Sequence, residues 1–142
     1  MAGYKVHRYH DISCGHRVHG HEGKCRHLHG HNYRVHFTCV PEDGALDGVG
    51  RVIDFSQVKA KLCVWIEDHW DHHFLIWEQD PMKSYLLELD PTVVVVPFNP
   101  TAENIAQYLV EVVGPAQLAG TGIKLSEVMV EETMKCFASY GE

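Results

Sequence analysis

The sequence predicts an α+β domain in which helices pack on one face of an antiparallel sheet. Both ends of the chain alternate apolar and polar residues, as half-buried strands do. Two segments between them repeat apolar residues at helical spacing, which gives the order ββααββ. The 142 residues are 45% hydrophobic and 22% charged, so residues 1–142 are expected to form a single domain around one core.

The first two predicted strands flank a histidine-rich loop, residues 16–31. Residues 3–13 alternate in polarity, and His16 continues the apolar parity of this first strand. Glycines in and beside the loop argue against a helix there. The second strand is expected over residues 31–40, where the core-facing side chains are those of Tyr33, Val35, Phe37 and Cys39.

Two helices are predicted in the middle of the chain. The first covers residues 56–67, and its buried stripe is expected to consist of Phe55, Val58, Leu62, Trp65 and Ile66. Asn99-Pro100-Thr101 is typical of a helix start, and Gly114-Pro115 is expected to end this second helix. The apolar face of the second helix is expected to consist of Ile105, Leu109 and Val112.

The segment between the helices is the hardest part to place. Residues 77–98 show no clear period, although the β-branched residues 93–96 favour a short strand. After the second helix, residues 123–133 and 135–140 alternate in polarity and are expected to form two strands with a tight connection.

Composition excludes several classes of partner. The formal net charge of −7 argues against a nucleic-acid partner. The apolar runs are too short to cross a membrane, and the first residues lack the apolar stretch of a secretory leader. The five cysteines form no CxxC pair, which favours free thiols in a reducing cytoplasm. Four are interpreted as packing residues, namely Cys14, Cys39, Cys63 and Cys136.

Three histidines are positioned to share a metal ion. His29 and His31 are two residues apart at the start of a strand, so their side chains point to the same side. His16 ends the neighbouring strand on its apolar parity, and adjacent strands lie about 5 Å apart. Three neutral imidazoles plus water are typical of a catalytic zinc site. Two alternatives are histidines that bind no metal and a closed structural site with Cys25 as the fourth ligand.

Cys25 is the candidate reactive thiol. Lys24 and Arg26 flank it, and nearby cations favour the thiolate form of a cysteine. A thiolate can act as a nucleophile or as a general base.

Two further sets of polar residues have the composition of catalytic or binding groups. Asp71 precedes His72, and an aspartate can orient and charge an imidazole for proton transfer. The pair Asp68-His69 is a competing candidate, and a polar helix end is the alternative for both. Glu132 shares strand parity with buried positions, so its carboxylate is a candidate to grip a guanidine-like ligand edge, with a solvated strand end as the alternative.

Together these residues resemble the 6-pyruvoyl-tetrahydropterin synthase/QueD family, the second name denoting 6-carboxy-tetrahydropterin synthase. The matching pieces occur in family order and span nearly the whole chain: His16, Gly23-Lys24-Cys25, Leu28-His29-Gly30-His31, Val52-Ile53-Asp54-Phe55, Asp71-His72 with Leu75, Pro100-Thr101-Ala102-Glu103-Asn104, and Val130-Glu131-Glu132-Thr133. The chain departs from the family pattern in having Ile76-Trp77 after Leu75 and a longer segment 77–98. The resemblance assigns no role to His19, His21 and His27.

The resemblance implies a T-fold (tunnelling fold), a four-stranded antiparallel sheet with two helices on one face. It implies homo-oligomers, as trimers or hexamers, with active sites between subunits. The implied zinc ligands are His16, His29 and His31, and the implied catalytic residues are Cys25, Asp71 and His72. Glu132 would anchor a pterin ring, and Thr101 and Glu103 would lie near the ring from a neighbouring subunit.

The spacing between Cys25 and His29 indicates which branch of the family the chain resembles. Three residues separate Cys25 from His29, as in QueD, whereas the animal pyruvoyl-forming synthases have a longer gap. The resemblance therefore implies conversion of 7,8-dihydroneopterin triphosphate to 6-carboxy-5,6,7,8-tetrahydropterin, with loss of acetaldehyde and triphosphate, on the route to the 7-deazaguanine precursor of queuosine. The alternatives are a 6-pyruvoyl-tetrahydropterin synthase and a zinc-stabilised pterin-binding protein without catalysis.

Overall fold

The computed structural model describes residues 2–142, and Met1, the first residue of the predicted domain, lies outside them. The strands in this range are β1 (Val6–His16), β2 (His29–Pro41), β3 (His73–Trp77), β4 (Val94–Val96), β5 (Ile123–Glu131) and β6 (Phe137–Gly141). The helices are α1 (55–69), α2 (Lys83–Leu89) and α3 (102–117). A short 3-10 turn, Lys24–Arg26, lies in the histidine-rich loop.

The six strands described form one mixed sheet in the order β4-β3-β1-β2-β5-β6. The strands predicted at the two ends of the chain are β1, β2, β5 and β6, and neighbours among them pair antiparallel. The predicted four-stranded, purely antiparallel sheet is wrong, because β3 pairs parallel with β1 and β4 pairs parallel with β3. Parallel neighbours need a long crossover connection, and α2 supplies it between β3 and β4.

One apolar core lies between this sheet and the two long helices. Its fully buried side chains come from β2, β5, α1 and α3, and include Phe37, Val128, Leu62, Ile66 and Leu109. Burial of such side chains is the main favourable term in folding. No helix within residues 2–142 combines the length and the apolar content that crossing a membrane requires.

Both long helices contain a π-helical stretch that changes which residues face the core. These stretches are Lys59–Cys63 in α1 and Leu109–Val113 in α3. A π-turn is wider than an α-turn, so it displaces the buried stripe by a residue. The prediction for α3 is wrong at Val112, which is 48% exposed, whereas Val113 is buried. At the start of α1, Phe55 is 53% exposed and does not join the buried stripe.

The helix α3 does not end at Gly114-Pro115 as predicted. It continues to Gln117, and the Leu118 N–H donates to the Gly114 carbonyl at 2.9 Å. Pro115 lies in the first turn of the last stretch, where the missing N–H is tolerated. A Cβ atom on Gly114 would lie 2.8 Å from Leu125 Cδ2. Glycine is therefore required here for close packing of α3 on β5.

Candidate metal centre and neighbouring residues

The structure brings His16, His29 and His31 together, which confirms the predicted convergence. His16 and His29 are direct partners in the antiparallel pair β1–β2, and His31 lies two residues further along β2. The Nε2 atoms of His16 and His29 are 3.0 Å apart, and one ring nitrogen from each of the three lies within 4.8 Å of the others. His16 is fully buried, and the other two are half-buried.

Backbone carbonyls set the orientation of two of these rings. His16 Nδ1 donates to the Pro100 carbonyl at 2.6 Å, and His29 Nδ1 donates to the His27 carbonyl at 2.8 Å. Because a carbonyl only accepts, the proton of each ring sits on Nδ1, and the Nε2 lone pair faces the centre. His31 Nε2 is a buried atom with no hydrogen-bond partner in the described part of the chain. Three imidazole nitrogens, one of them without a partner, fit the donor set of a zinc ion.

Burial favours the neutral form of two of these imidazoles, His16 and His31. It lowers the pKa of His16 to about 4, against the opposing effect of the Pro100 hydrogen bond, and the neighbouring His29 and His31 lower it further. Burial also lowers the pKa of His31, although the Glu132 carboxylate opposes the shift. Since only neutral imidazole binds a metal, the centre is prepared for a cation at neutral pH.

Glu132 and Tyr33 border the three histidines. Glu132 follows the last residue of β5, and its Oε1 lies 3.4 Å from His16 Nε2 and 3.5 Å from His31 Nε2. This agrees with the inward direction predicted for Glu132. The Tyr33 hydroxyl lies 3.1 Å from both ring nitrogens of His16. Sequence reasoning assigned Tyr33 only to the core, although its parity with His31 was the signal that places it at the centre.

The environment of Tyr33 keeps its hydroxyl protonated. Burial is the first cause of its raised pKa, and the negative charge of Glu132 is the second. Cys25 lies in the 3-10 turn, is half-buried, and accepts a 2.8 Å hydrogen bond from the Val18 N–H at its own carbonyl.

Asp71 and His72 form a pair in the turn between α1 and β3. Asp71 Oδ2 lies 3.0 Å from His72 Nδ1, while Asp71 Oδ1 accepts from the Ser13 N–H at 2.8 Å. Burial acts to raise the pKa of Asp71, but the bonds from Ser13 and His72 outweigh it and lower that pKa. His72 has a φ of 60°, a strained value for a non-glycine residue, and its side chain is 80% exposed.

Asp71 and His72 both line one groove on the surface of the chain. This groove has a volume of about 630 Å³ and includes Asn32, Arg34 and Glu131 in its lining. Within the described residues, neither Cys25 nor the three histidines line it. His72 also lines a second pocket, of about 500 Å³, together with His31. Cys25 lines neither of these two pockets, and the proton-transfer group of Cys25, Asp71 and His72 stays a prediction.

The other predicted positions are in different surroundings. The Thr101 hydroxyl caps α3 by accepting from the Asn104 N–H at 3.1 Å, and Glu103 is exposed on the first turn of that helix. Their substrate contacts stay a prediction. The competing candidate Asp68–His69 does not form a pair, because His69 bonds the Trp65 carbonyl at 2.8 Å and stacks on the Trp65 ring.

The additional histidines and one cysteine have local explanations. His21 Nδ1 accepts from the Gly23 N–H at 2.8 Å, and His19 Nδ1 lies 3.3 Å from Arg17 Nη2. His27 provides the carbonyl that orients His29. Cys136 is exposed, so its assignment as a packing residue is wrong, whereas the other three cysteines assigned to packing are buried.

Comparison with known proteins shows that the chain is similar to the members of one family. The family model described as 6-pyruvoyl tetrahydropterin synthase matches residues 5–142. A 6-carboxy-5,6,7,8-tetrahydropterin synthase from Rickettsia felis is 32% identical over 129 residues, which is 89% of this chain and 92% of the relative. An uncharacterized protein from Wolinella succinogenes has a TM-score of 0.84 at 28% identity, covering 98% of both chains.

A Caenorhabditis elegans 6-pyruvoyl tetrahydropterin synthase has the same fold. Its TM-score is 0.69 at 23% identity, and the match covers 98% of this chain and 95% of that chain.

Proposed function

The chain belongs to the 6-pyruvoyl tetrahydropterin synthase family, and we propose that it is a zinc-dependent 6-carboxy-5,6,7,8-tetrahydropterin synthase. In this proposal it converts 7,8-dihydroneopterin triphosphate and one water molecule to 6-carboxytetrahydropterin, with release of acetaldehyde and triphosphate. The observation that carries the proposal is the three-histidine centre, with its buried nitrogen that has no hydrogen-bond partner among the described residues, beside Glu132.

The centre favours a metal-assisted proton abstraction. His16, His29 and His31 would hold Zn²⁺, which supplies a Lewis acid that polarises the side-chain hydroxyls of the substrate and acidifies the adjacent C–H bond. The Pro100 and His27 carbonyls keep two of these ligands in position. The Glu132 carboxylate accepts hydrogen bonds from the pterin ring and fixes the ring at the centre.

The Cys25 thiolate acts as the base in this proposal. It removes the carbon-bound proton from the substrate side chain. The Tyr33 hydroxyl stays protonated beside His16 and closes the inner side of the centre.

The Asp71–His72 pair returns a proton during cleavage of the side chain. The exposed imidazole of His72 supports delivery of this proton to a Cys25 of another copy of the chain. The proposal therefore includes a homo-oligomer, a trimer or hexamer, with active sites between subunits. Thr101 and Glu103 would approach the pterin ring from the neighbouring subunit. The product would serve the route to 7-deazaguanine and queuosine in the cytoplasm.

A 6-pyruvoyl-tetrahydropterin synthase is the second candidate, favoured by the family description. The three-residue gap between Cys25 and His29 and the name of the Rickettsia felis relative favour the carboxy-forming activity. A zinc-stabilised pterin-binding protein is the third candidate, and it requires no function for Cys25.

The test combines metal analysis with product analysis. We expect about one zinc per chain in the purified protein and release of acetaldehyde from 7,8-dihydroneopterin triphosphate. The variant Cys25→Ala should keep its zinc and its thermal unfolding midpoint, but its kcat should fall by about 10² or more. Cys136→Ala, which changes an exposed thiol, is the matched control and should retain activity.

The outcomes separate the three candidates. Pyruvoyl-tetrahydropterin without acetaldehyde would identify the second candidate. A zinc-loaded protein that binds pterin without turnover, and that unfolds when the zinc is chelated, would identify the third.

A further inference from the structure

Arg17 connects the metal centre to two other parts of the chain. It directly follows the candidate ligand His16, and its guanidinium donates in three directions. Nε donates to Asp80 Oδ2 at 2.7 Å, Nη1 donates to the Arg26 carbonyl at 3.0 Å, and Nη2 lies 3.3 Å from His19 Nδ1. A planar guanidinium can hold several acceptors at fixed angles, which a lysine ammonium cannot do.

Asp80 is a firmly held anchor for this guanidinium. It lies in the segment 77–98, which departs from the family pattern, and its side chain is 0% exposed. Its Oδ1 accepts from the Met82 N–H at 2.8 Å, and its own carbonyl accepts from the Lys83 N–H at 3.0 Å, where α2 begins. The Asp80 N–H in turn donates to the Trp77 carbonyl at the end of β3. The carboxylate is therefore fixed by the sheet edge and by α2.

The other end of this connection is the turn that carries Cys25. The carbonyl of Cys25 accepts from the Val18 N–H, and the next carbonyl, that of Arg26, accepts from Arg17 Nη1. Two consecutive carbonyls of the turn are thus bound by two consecutive residues after β1. Loss of the Arg17 bond leaves the Arg26 carbonyl without this donor, while the Val18 bond to the Cys25 carbonyl remains.

We propose that Arg17 and Asp80 are positioning residues that hold the Cys25 turn against the residues that directly follow β1, with the β3–α2 connection as their support. The role of Cys25 rests on the proposed function, whereas the connection itself rests only on the contacts above. A displacement of about 1 Å in a reacting group is enough to lower a rate about 10²-fold. The pair therefore determines how well Cys25 is aimed, without touching the substrate.

The test measures the thiol directly as well as turnover. In a Cys136→Ser background, Cys25 is the accessible thiol among the described residues, and its alkylation by iodoacetamide is followed by mass spectrometry. Arg17→Lys keeps the charge opposite Asp80 but loses the simultaneous bond to the Arg26 carbonyl. We expect the alkylation rate of Cys25 to change by about fivefold or more and kcat to fall by about tenfold or more, with KM and zinc content nearly unchanged.

Asp80→Asn and Asp47→Asn complete the experiment. Asp80→Asn should produce the same change in Cys25 alkylation, and Arg17→Lys keeps the test decisive if Asp80→Asn fails to fold. Asp47→Asn removes a carboxylate from an exposed pair with Arg51 and should leave alkylation and kcat unchanged. Wild-type alkylation rates and kcat in Arg17→Lys would overturn the proposal, even with a lowered melting temperature. A wild-type protein without turnover would contradict the proposed function, and alkylation would still decide the positioning proposal.

Discussion

At the residue scale, the Nδ1 atoms of His16 and His29 determine which ring nitrogen of each histidine faces the centre. A histidine can present either ring nitrogen, and only an external acceptor decides which one carries the proton. The Pro100 and His27 carbonyls make that choice for His16 and His29. The selection of Nε2 is therefore built into the backbone before any metal binds, which lowers the cost of organising the site.

The five thiols should differ sharply in reactivity. Burial raises the pKa of Cys14 and Cys39 to about 12, and it also raises the pKa of Cys63. We expect iodoacetamide at pH 8 to modify two thiols per native chain, Cys25 and Cys136, and all five in urea, counted by intact mass. Fast modification of Cys14 in the native protein would contradict the expectation.

The raised pKa values of the buried thiols make the free energy of unfolding depend on pH. A buried thiol with a raised pKa keeps a proton that the unfolded chain loses above the ordinary value of 9.0. Unfolding therefore releases protons, and the free energy of unfolding contributed by Cys14 and Cys39 falls as the pH rises from 9 towards 12.

Residue-scale predictions succeeded where parity alone was sufficient. The parity of His29 and His31 and the end of the first strand at His16 identified the centre. Tyr33 was not identified as a site residue, because a tyrosine at a core-facing position shows the same sequence pattern whether or not its hydroxyl reaches a site. Cys136 was misassigned because it follows an apolar strand but lies in a turn, where no neighbouring layer covers it.

At the element scale, the contact of β1 with β3 explains a glycine. Gly15 is the partner of Phe74 in the parallel pair, and a Cβ atom at Gly15 would lie 2.6 Å from Phe74 Cδ2. The aromatic ring lies across the glycine and holds β3, and with it the Asp71–His72 turn, against β1. Close packing of a side chain on a glycine is a typical reason for glycine inside a strand.

Gly15→Ala should therefore destabilise the protein by about 1–3 kcal/mol through overpacking. Gly48→Ala is the matched control, because no atom lies within 4 Å of its added Cβ. Urea denaturation with a constant m-value measures both. Equal midpoints for the two variants would show that Phe74 moves aside without cost, and a Gly15→Ala/Phe74→Ala double variant tests whether the loss comes from that ring.

The strands at both chain ends and the two long helices were predictable, whereas β3, α2 and the parallel pairing of β3 and β4 were not. Strict alternation identifies β1, β2 and β5 because each buries one face only. β3 and β4 are five and three residues long, and their parallel pairing depends on contacts distant in sequence, which local pattern does not encode. The π-helical turns likewise change the buried stripe by a residue without a sequence signal.

At the scale of the whole molecule, the two faces of the sheet differ. One face carries the core, and the other carries charged and aromatic side chains that remain partly accessible. On this second face Arg34 bonds Asp11 through two nitrogens, at 2.9 and 3.1 Å, and its guanidinium lies over Tyr9. His36 Nε2 lies 3.4 Å from Glu131 Oε1. The Asp71–His72 groove opens beside these residues.

Subunit complementation tests the proposed active sites between subunits. Cys25→Ala and Asp71→Asn should each be inactive alone, but in mixed rings a quarter of the sites would combine an intact Cys25 with an intact Asp71. Co-expression of the two variants should therefore restore about a quarter of wild-type acetaldehyde release. A Cys25→Ala/Asp71→Asn double variant mixed with Cys25→Ala is the control and should stay inactive. Mixed oligomers without activity would show that both residues act within one chain.

The bond from His16 to Pro100 also orders events during folding. It joins residues 84 positions apart, so it closes only after the N-terminal hairpin and α3 have docked on the same sheet. Long-range closures of this kind form late, because the entropy of the intervening chain opposes them. At the proposed zinc site, metal capture by a correctly turned His16 would therefore be a late event in maturation, and its rate would report on the docking of α3.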